Sequence, residues 1–413
     1  YYFFHLISIK SGKKHWVSKD VIRKICYNKN VKITARTKRM KTVIETLTID
    51  PEKYDLTRIA PLDQLLFVDI ETTGFSAGSS SLYEIGCIRF ENNIPKLIQF
   101  FAEDNTEEKE VLSSFFDLCH PSGTLIHFNG NTFDIPYMKA KARQYGLSSP
   151  FETMEGVDIY KRIMPYKDIL GLPNCKQKTI EEFLGISRED RYNGGQLIDI
   201  YKEYCRQPSE ESEKLLILHN NEDMKGMLKL LPILTYSDIF MQPFRVVKVQ
   251  ANHFTNVDQS AGDEVLMKLR FSSAFPIPFS MHKAGCHFSA NDKEGFLKVP
   301  LFKGELKYFY SNYRDYYYLP LEDIALHKAV AGFVDKDHRK QAKASNCYTR
   351  KESDYLPQWD IIFEPIFKKS YEDKLCYFEL TEDMKKQPES FRQYALHILD
   401  MMAHARNMDD FIA

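Results

Sequence analysis

From residue 65 the chain alternates short apolar runs with longer amphipathic ones. "LLFVDI", starting at Leu65, is a run of the kind a buried strand carries, and "EIGCIRF" and "PKLIQFFA" predict the next two strands. "EEKEVLSSFFDLC" predicts a helix and "GTLIHFNG" a further strand. "DIPYMKAKARQYG" predicts another helix, with Pro136 in its first turn and Gly146 as its stop. "TIEEFLG", "GQLIDIYKEYC" and "SEKLLILHNNEDMKGMLKLL" continue as helices. This alternation predicts an α/β domain over residues 65–240.

The pattern changes past residue 241. "FRVVKVQ", "EVLMKLRFSS", "GFLKVPLFKGELKYFYSN" and "YYYLP" are β-like, rich in Val, Phe and Tyr. A short helix "DIALHKAVAGFVD", two strands "WDIIFEPIF" and "LCYFEL", and a closing amphipathic helix "PESFRQYALHILDMMAHARN" complete a predicted β-rich α+β accessory domain over 241–413. Residues 1–64 form an N-terminal extension, basic at first and then polar, with a weakly alternating stretch "KTVIETLTID".

Composition narrows the class. Hydrophobic residues make up 43% and charged residues 27%, the balance of a soluble globular protein. No stretch has the apolar length of a membrane span, so no membrane association is expected. "YYFFHLISIKSGKK" places its apolar residues before its charges, the reverse of a secretory signal. The eight cysteines are scattered without a CxxC pair, which argues against a thiolate zinc site and a disulfide framework. A cytoplasmic location is the expectation. Net charge is −1, but between Lys10 and Lys41 Asp20 is the only acid among a dozen Lys and Arg. That stretch is either a solvated arm or a phosphate-backbone contact.

Candidate chemistry lies in three segments. "FVDIETTG" places Asp69 and Glu71 two apart on a strand, so both point to one side. Adjacent carboxylates repel, and a hard divalent cation such as Mg²⁺ or Mn²⁺ resolves that conflict. The same acids could equally cap a helix after a βα turn. Thr72 and Gly74 then form a turn where a substrate backbone could approach. "HFNGNTFDIP" delivers Asp134 to a helix start, either as an N-cap or as a third acid, and puts Asn129 at a strand end, where it could hold a substrate phosphate or orient a metal ligand. "HNNED" supplies Asp223, with His219 four residues earlier on the same helix face.

Taken in order, DxE, D and HxxxD resemble the three motifs of the DEDD superfamily of 3′–5′ exonucleases, which share the ribonuclease H-like fold. The strings "LLFVDIETTGFS", "HFNGNTFDIPYMKAKA" and "LHNNEDMKGMLKLLPIL", with "KTIEEFLGISREDRYNGGQLIDIYKEY" between the last two, resemble the YprB-type branch over residues 65–234. The resemblance implies a mixed sheet flanked by helices. It also implies that Asp69, Glu71, Asp134 and Asp223 bind two divalent cations, Mg²⁺ or Mn²⁺, about 4 Å apart. One would activate a water and the other would stabilise the leaving 3′ oxygen. Single-stranded nucleic acid, RNA or DNA, would be hydrolysed from its 3′ end to nucleoside monophosphates.

His219 departs from the family pattern. The superfamily carries either a Tyr four residues before the last Asp or a His five before it. Here a His stands at the Tyr spacing. An imidazole titrates near neutral pH and can take a proton from an attacking water, whereas a Tyr chiefly orients it. The other reading is a helix-surface His held by Asp223 or Glu222. Phe75 follows the "ETTG" turn and either stacks on a terminal base or packs in the core. His127 is expected as a strand residue, and Asp158 as a cap or ion pair.

In the last third, "LKYFYSNYRDYYYLP" and "ALHKAVAGFVDKDHRKQAKASNCYTRK" interleave aromatic and basic residues. They fit either a surface tracking a single strand or a Tyr-rich β core beside a solvated basic helix. Two other functions remain open from sequence: a non-catalytic nucleic-acid-binding protein that keeps the fold, and a metal-dependent hydrolase of free nucleotides.

Overall fold

The computed structural model describes residues 40–50, 53–120, 123–189, 192, 194–239, 243–255 and 261–403, with backbone alone at 5–8, 14–17, 32–37 and 404. Apart from Lys41, the basic side chains of the N-terminal stretch lie outside the described residues, as does Cys26. The chain divides into two units, 1–237 and 238–413.

The first unit is organised by one strand. β5 (Leu65–Thr72) is central because its first residues are apolar on both faces and its last are not: Leu65 to Val68 are buried, and Asp69 and Glu71 are partly exposed. β6 (Leu82–Glu91) and β7 (Ile94–Phe101) follow as an antiparallel meander. On the other side β8 (Thr124–His127) and β9 (Glu155–Asp158) run parallel to β5. Three N-terminal strands precede a fourth, β4 (Met40–Thr46), which pairs with β7: β1 (His5–Ser8), β2 (Lys14–Val17) and β3 (Lys32–Thr37). The nine-stranded order is β2-β1-β3-β4-β7-β6-β5-β8-β9. The alternation in "KTVIETLTID" thus extends the sheet: Val43 is buried, and Lys41 and Glu45 lie on its face of the strand.

Helices flank this sheet: α1 (Glu108–Phe116), α2 (Asp134–Tyr145), α3 (Ile159–Ile163), α4 (Gln177–Phe183), α5 (Gly194–Arg206) and α6 (Glu210–Lys229). The long α6 starts under a Ser209 cap, with Glu210, Glu211 and Glu213 in its first turn, and packs across β5, β6 and β7. Gly86 is what lets it approach. A Cβ there would stand 2.0 Å from Asn220 Oδ1 and 2.8 Å from Met224 Cγ. One core cluster joins Leu66, Val68 and Ile70 of β5 to Val111, Leu112 and Phe115 of α1 and to Met138 of α2. The mixed sheet with flanking helices agrees with the fold expected from sequence.

The second unit is β-rich, as expected. β10 (Phe244–Thr255), β11 (Ala261–Lys283) and β12 (Cys286–Phe309) form an antiparallel ribbon. β13 (Tyr316–Leu319), β14 (Ile324–His327) and β15 (Lys340–Gln341) make a small second sheet. β16 (Tyr348–Gln358), β17 (Ile366–Phe367) and β18 (Cys376–Glu379) complete the larger one, and the C-terminal helix Pro388–His404 packs on β10, β11 and β12.

Two local expectations fail, and two strands stand where the pattern predicts none. "DIALHKAVAGFVD" is mostly not helical: Ile324–His327 is β14, paired to Tyr316–Leu319, and the helix spans only Lys328–Ala331. Cross-strand pairing with the Tyr-rich segment outweighs local helix propensity. Only Ile366–Phe367 of "WDIIFEPIF" is strand. The parallel strand β9 went unseen because "EGVD" is four residues with a Gly. β16 was hidden because its first half, Thr349 to Glu352, is exposed and polar, although β12 and β18 pair with it on either side.

Candidate metal centre

Toward the carboxyl end of β5, β8 parts from it while β6 stays paired as far as Thr72. Pairing with β8 stops at Phe67 opposite Ile126. Past that point the Ile70 N–H bonds the carboxyl of Asp134 instead of a strand. Asp134 is the first residue of α2, after a Phe133 N-cap that makes no side-chain bond. Asp134 is therefore not the cap that one reading of the sequence allowed. Its buried carboxyl faces the sheet. Burial pushes its pKa up to about 6; hydrogen bonds from its own N–H and that of Ile70 pull the other way.

Asp69 and Glu71 project from one side of β5 toward α6. Burial raises the Asp69 pKa well above the carboxylate range, with Asp223, Asp134 and Glu71 adding to the rise in that order. All four acids are thus close enough to act on one group. The tightest cluster is Glu71, His219 and Asp223, whose donor atoms lie within 4.8 Å of one another. His219 Nε2 stands 3.2 Å from Asp223 Oδ2 and 3.6 Å from Glu71 Oε1. At 6% exposure His219 is not a helix-surface residue. Glu222 points elsewhere, accepting the Glu189 N–H. The structure therefore brings an imidazole nitrogen beside the oxygen donors expected from sequence.

Three carboxylates crowding a fourth, with oxygen and imidazole atoms converging, is a donor set that fits a divalent cation.

Residues with no role assigned from sequence hold this arrangement. Asn220 Nδ2 donates to Asp69 Oδ2 at 3.0 Å, and Gln99 Nε2 bonds Glu84 Oε1 at 3.0 Å and the Ile217 carbonyl at 2.8 Å. Asn221 joins Gln99 Oε1 at 3.1 Å to Glu45. Arg188 pairs with both Asp223 and Glu181. Asn220 had a legible signal: it takes an apolar place in the buried row Leu216, Asn220, Met224, Met227. Arg188 had none, since it comes from a loop.

The substrate-side candidates fall into two groups. Thr72 Oγ1 and Ser80 Oγ both donate to the Gly74 carbonyl, at 2.9 and 3.0 Å, so Thr72 and Gly74 build the turn. Asn129 adopts φ 61°, and its N–H donates to Asp158 Oδ1 at 2.9 Å. Phe75 is 90% exposed, which rules out core packing; its ring meets Phe133 edge-on at 6.0 Å. Asp158 caps α3, and His127 Nδ1 accepts the Gly130 N–H at 3.1 Å. Burial lowers the His127 pKa, which keeps that nitrogen an acceptor.

In the second unit many basic residues already have partners. Arg350 pairs with Asp323, which also accepts from Tyr318 and Tyr348. Lys307 Nζ sits 4.3 Å from the Tyr348 ring centre, and Arg339 4.7 Å from that of Tyr317. The expected solvated basic helix is replaced by short turns and strands.

Residues 66–235 match the family model described as the RNase_H superfamily. With the mixed sheet order, this makes the first unit RNase H-like in fold. Solved structures similar to this chain include E. coli exonuclease I with a dT13 oligonucleotide: 11% identity, TM-score 0.29, covering 50% of this chain and 54% of that one. E. coli exonuclease I with a dA16 oligonucleotide is 14% identical at TM-score 0.26, covering 51% and 55%. An ExoI/SSB-Ct complex is 12% identical at 0.27, covering 50% and 55%. The chain spans about half the length of these structures. No curated protein matches the chain.

Proposed function

We propose that the RNase H-like unit is a metal-dependent 3′–5′ exonuclease acting on single-stranded nucleic acid and releasing nucleoside monophosphates. The observation that carries this is the convergence of Glu71, His219 and Asp223 beside Asp69 and Asp134, from three segments, at the open end of β5. Placement in the YprB-type branch of the DEDD superfamily rests on the motif strings. The seven described cysteines are free, in keeping with a reducing cytoplasm.

Asp69, Glu71, Asp134 and Asp223 would hold divalent cations. When bound, these supply positive charge to the phosphoryl oxygens and make a water easier to ionise. The remaining work falls to the chain. Asn220 fixes the Asp69 carboxylate, and the Ile70 N–H fixes Asp134. His219 Nε2, between Glu71 and Asp223, is placed to hold or accept a proton from the attacking water. Thr72 and Gly74, in the turn after Glu71, and Asn129 would contact the substrate backbone, and Phe75 offers an exposed ring to a terminal base. Most of the rate enhancement is then positioning and charge neutralisation.

The test is digestion of end-labelled single-stranded RNA and DNA with Mn²⁺ or Mg²⁺, comparing the wild-type chain with Asp69→Ala and Asp223→Ala. Stepwise shortening from the 3′ end, lost in both variants and in chelator, is expected. Equal activity in all three chains, or cleavage that survives chelation, refutes the assignment. Binding without cleavage in all three would instead identify a nucleic-acid-binding protein that retains the fold.

A further inference from the structure

Asp223 sits on α6 with one oxygen already engaged. Its Oδ2 faces His219 Nε2 at 3.2 Å, while its Oδ1 accepts from Arg188 Nη1. The other edge of that guanidinium is held by both oxygens of Glu181, Nε on one and Nη2 on the other, the latter at 2.5 Å. Arg188 is 9% exposed at its side chain and Glu181 1%. Gln177, one turn before Glu181 on α4, ties the group to α6: its Nε2 donates to Glu181 Oε1 at 2.9 Å and to the Asp223 carbonyl at 2.8 Å. Space for this comes from Gly226, where a Cβ would stand 2.0 Å from Glu181 Oε1.

Burying two charged groups this far is costly unless their geometry is fixed on both sides. Here the fixed geometry ends on a carboxylate of the candidate metal centre. Asp69 and Glu71 repel Asp223, and a free aspartate would rotate away from them about its χ1 and χ2. We propose that Arg188 is a positioning residue that spends Asp223 Oδ1, so that Asp223 presents Oδ2 alone to the cation. Glu181 anchors Arg188, and Gly226 makes the anchor possible. The planar fork matters as well as the charge, because two partners must be bridged at once. This rests on the metal-centre reading above. Outer contacts to a metal ligand commonly change metal affinity by about ten- to a hundredfold.

The experiment measures Mn²⁺ binding to the full chain by calorimetry. Wild type, Arg188→Lys, Glu181→Gln and the double variant are compared, with melting in chelator and cleavage of a labelled strand run alongside. Each single variant should bind Mn²⁺ about tenfold more weakly while still folded. The double variant should be no weaker than the weaker single, because both act through one carboxylate. Unchanged Mn²⁺ affinity in a folded Arg188→Lys or Glu181→Gln chain overturns the proposal, as do strictly additive losses in the double variant. If neither single variant folds, the pair is structural and the proposal falls. Loss of affinity in the variants together with a wild type that binds Mn²⁺ but cleaves nothing would support the positioning role and refute the exonuclease. A wild type that binds no Mn²⁺ refutes both.

Discussion

Asp134→Asn probes the crowding of negative charge most directly. The folded chain raises the Asp134 pKa from 3.8 to about 6, chiefly by burial. A carboxyl that binds its proton more tightly folded than unfolded makes the folded state less favourable once that proton is lost. In chelator, the contribution of Asp134 to the stability of the wild type should therefore be most favourable below the unfolded value. It should fall as pH rises from 3.8 through about 6, then level off. At about 1.4 kcal/mol per tenfold, the span corresponds to roughly 3 kcal/mol. Asn keeps an oxygen that can accept the Ile70 N–H and carries no titrating charge. It also removes one of the charges raising Asp69, so the relief is at least as large as that of Asp134 alone. Urea unfolding of both full-length chains in chelator, at intervals from pH 4 to 7.5, measures the difference. Asp134→Asn should flatten the slope and be the more stable chain at pH 7. Mn²⁺ should then recover stability in the wild type and little in the variant, because a cation reverses the cost of the carboxylate. Identical slopes in the two chains would refute the argument that burial, uncompensated by cation, governs this carboxyl.

Three further outcomes are expected. His219→Ala should lower cleavage sharply while His219→Tyr keeps part of it, since a Tyr at this spacing can still orient water; full activity of His219→Ala across pH 6–8 would show that no proton is held there. Gly86→Ala should cost about 1–3 kcal/mol in thermal or chemical unfolding, because a Cβ there collides with Asn220 and Met224 and pushes α6 off the sheet; an unchanged melting temperature would contradict the contact. Phe75→Ala should leave stability within about 0.5 kcal/mol, as an exposed residue allows, yet weaken single-strand binding by about 1–3 kcal/mol; unaltered affinity by fluorescence anisotropy would remove the stacking role.

The sequence by itself determined the layout of the first unit and the order of its acids. Strand β5 is an apolar run ending in "DIET", and both properties are local: burial demands the first part, and period-two geometry puts Asp69 and Glu71 on one side. Likewise, four residues on a helix put His219 beside Asp223 without any tertiary knowledge. The second unit was legible as β-rich, but its pairings were not. Ile324–His327 could become strand only because Tyr316–Leu319 lies opposite, a partner that no local window contains.

Only the tertiary structure decided how the site is held. That β8 parts from β5 after Phe67, releasing the Ile70 N–H to Asp134, depends on where two strands diverge. That Asn220 reaches Asp69 depends on Gly86 of another strand, 134 positions away in sequence, making room beneath α6. Arg188 comes from a loop whose composition predicts solvent exposure. Its pairing with Glu181 and Asp223 exists because α4 and α6 come together around Gly226. Periodicity and spacing report which side of its own element a residue faces. What stands across from it is set by packing between distant segments, and there the charges of this site find their partners.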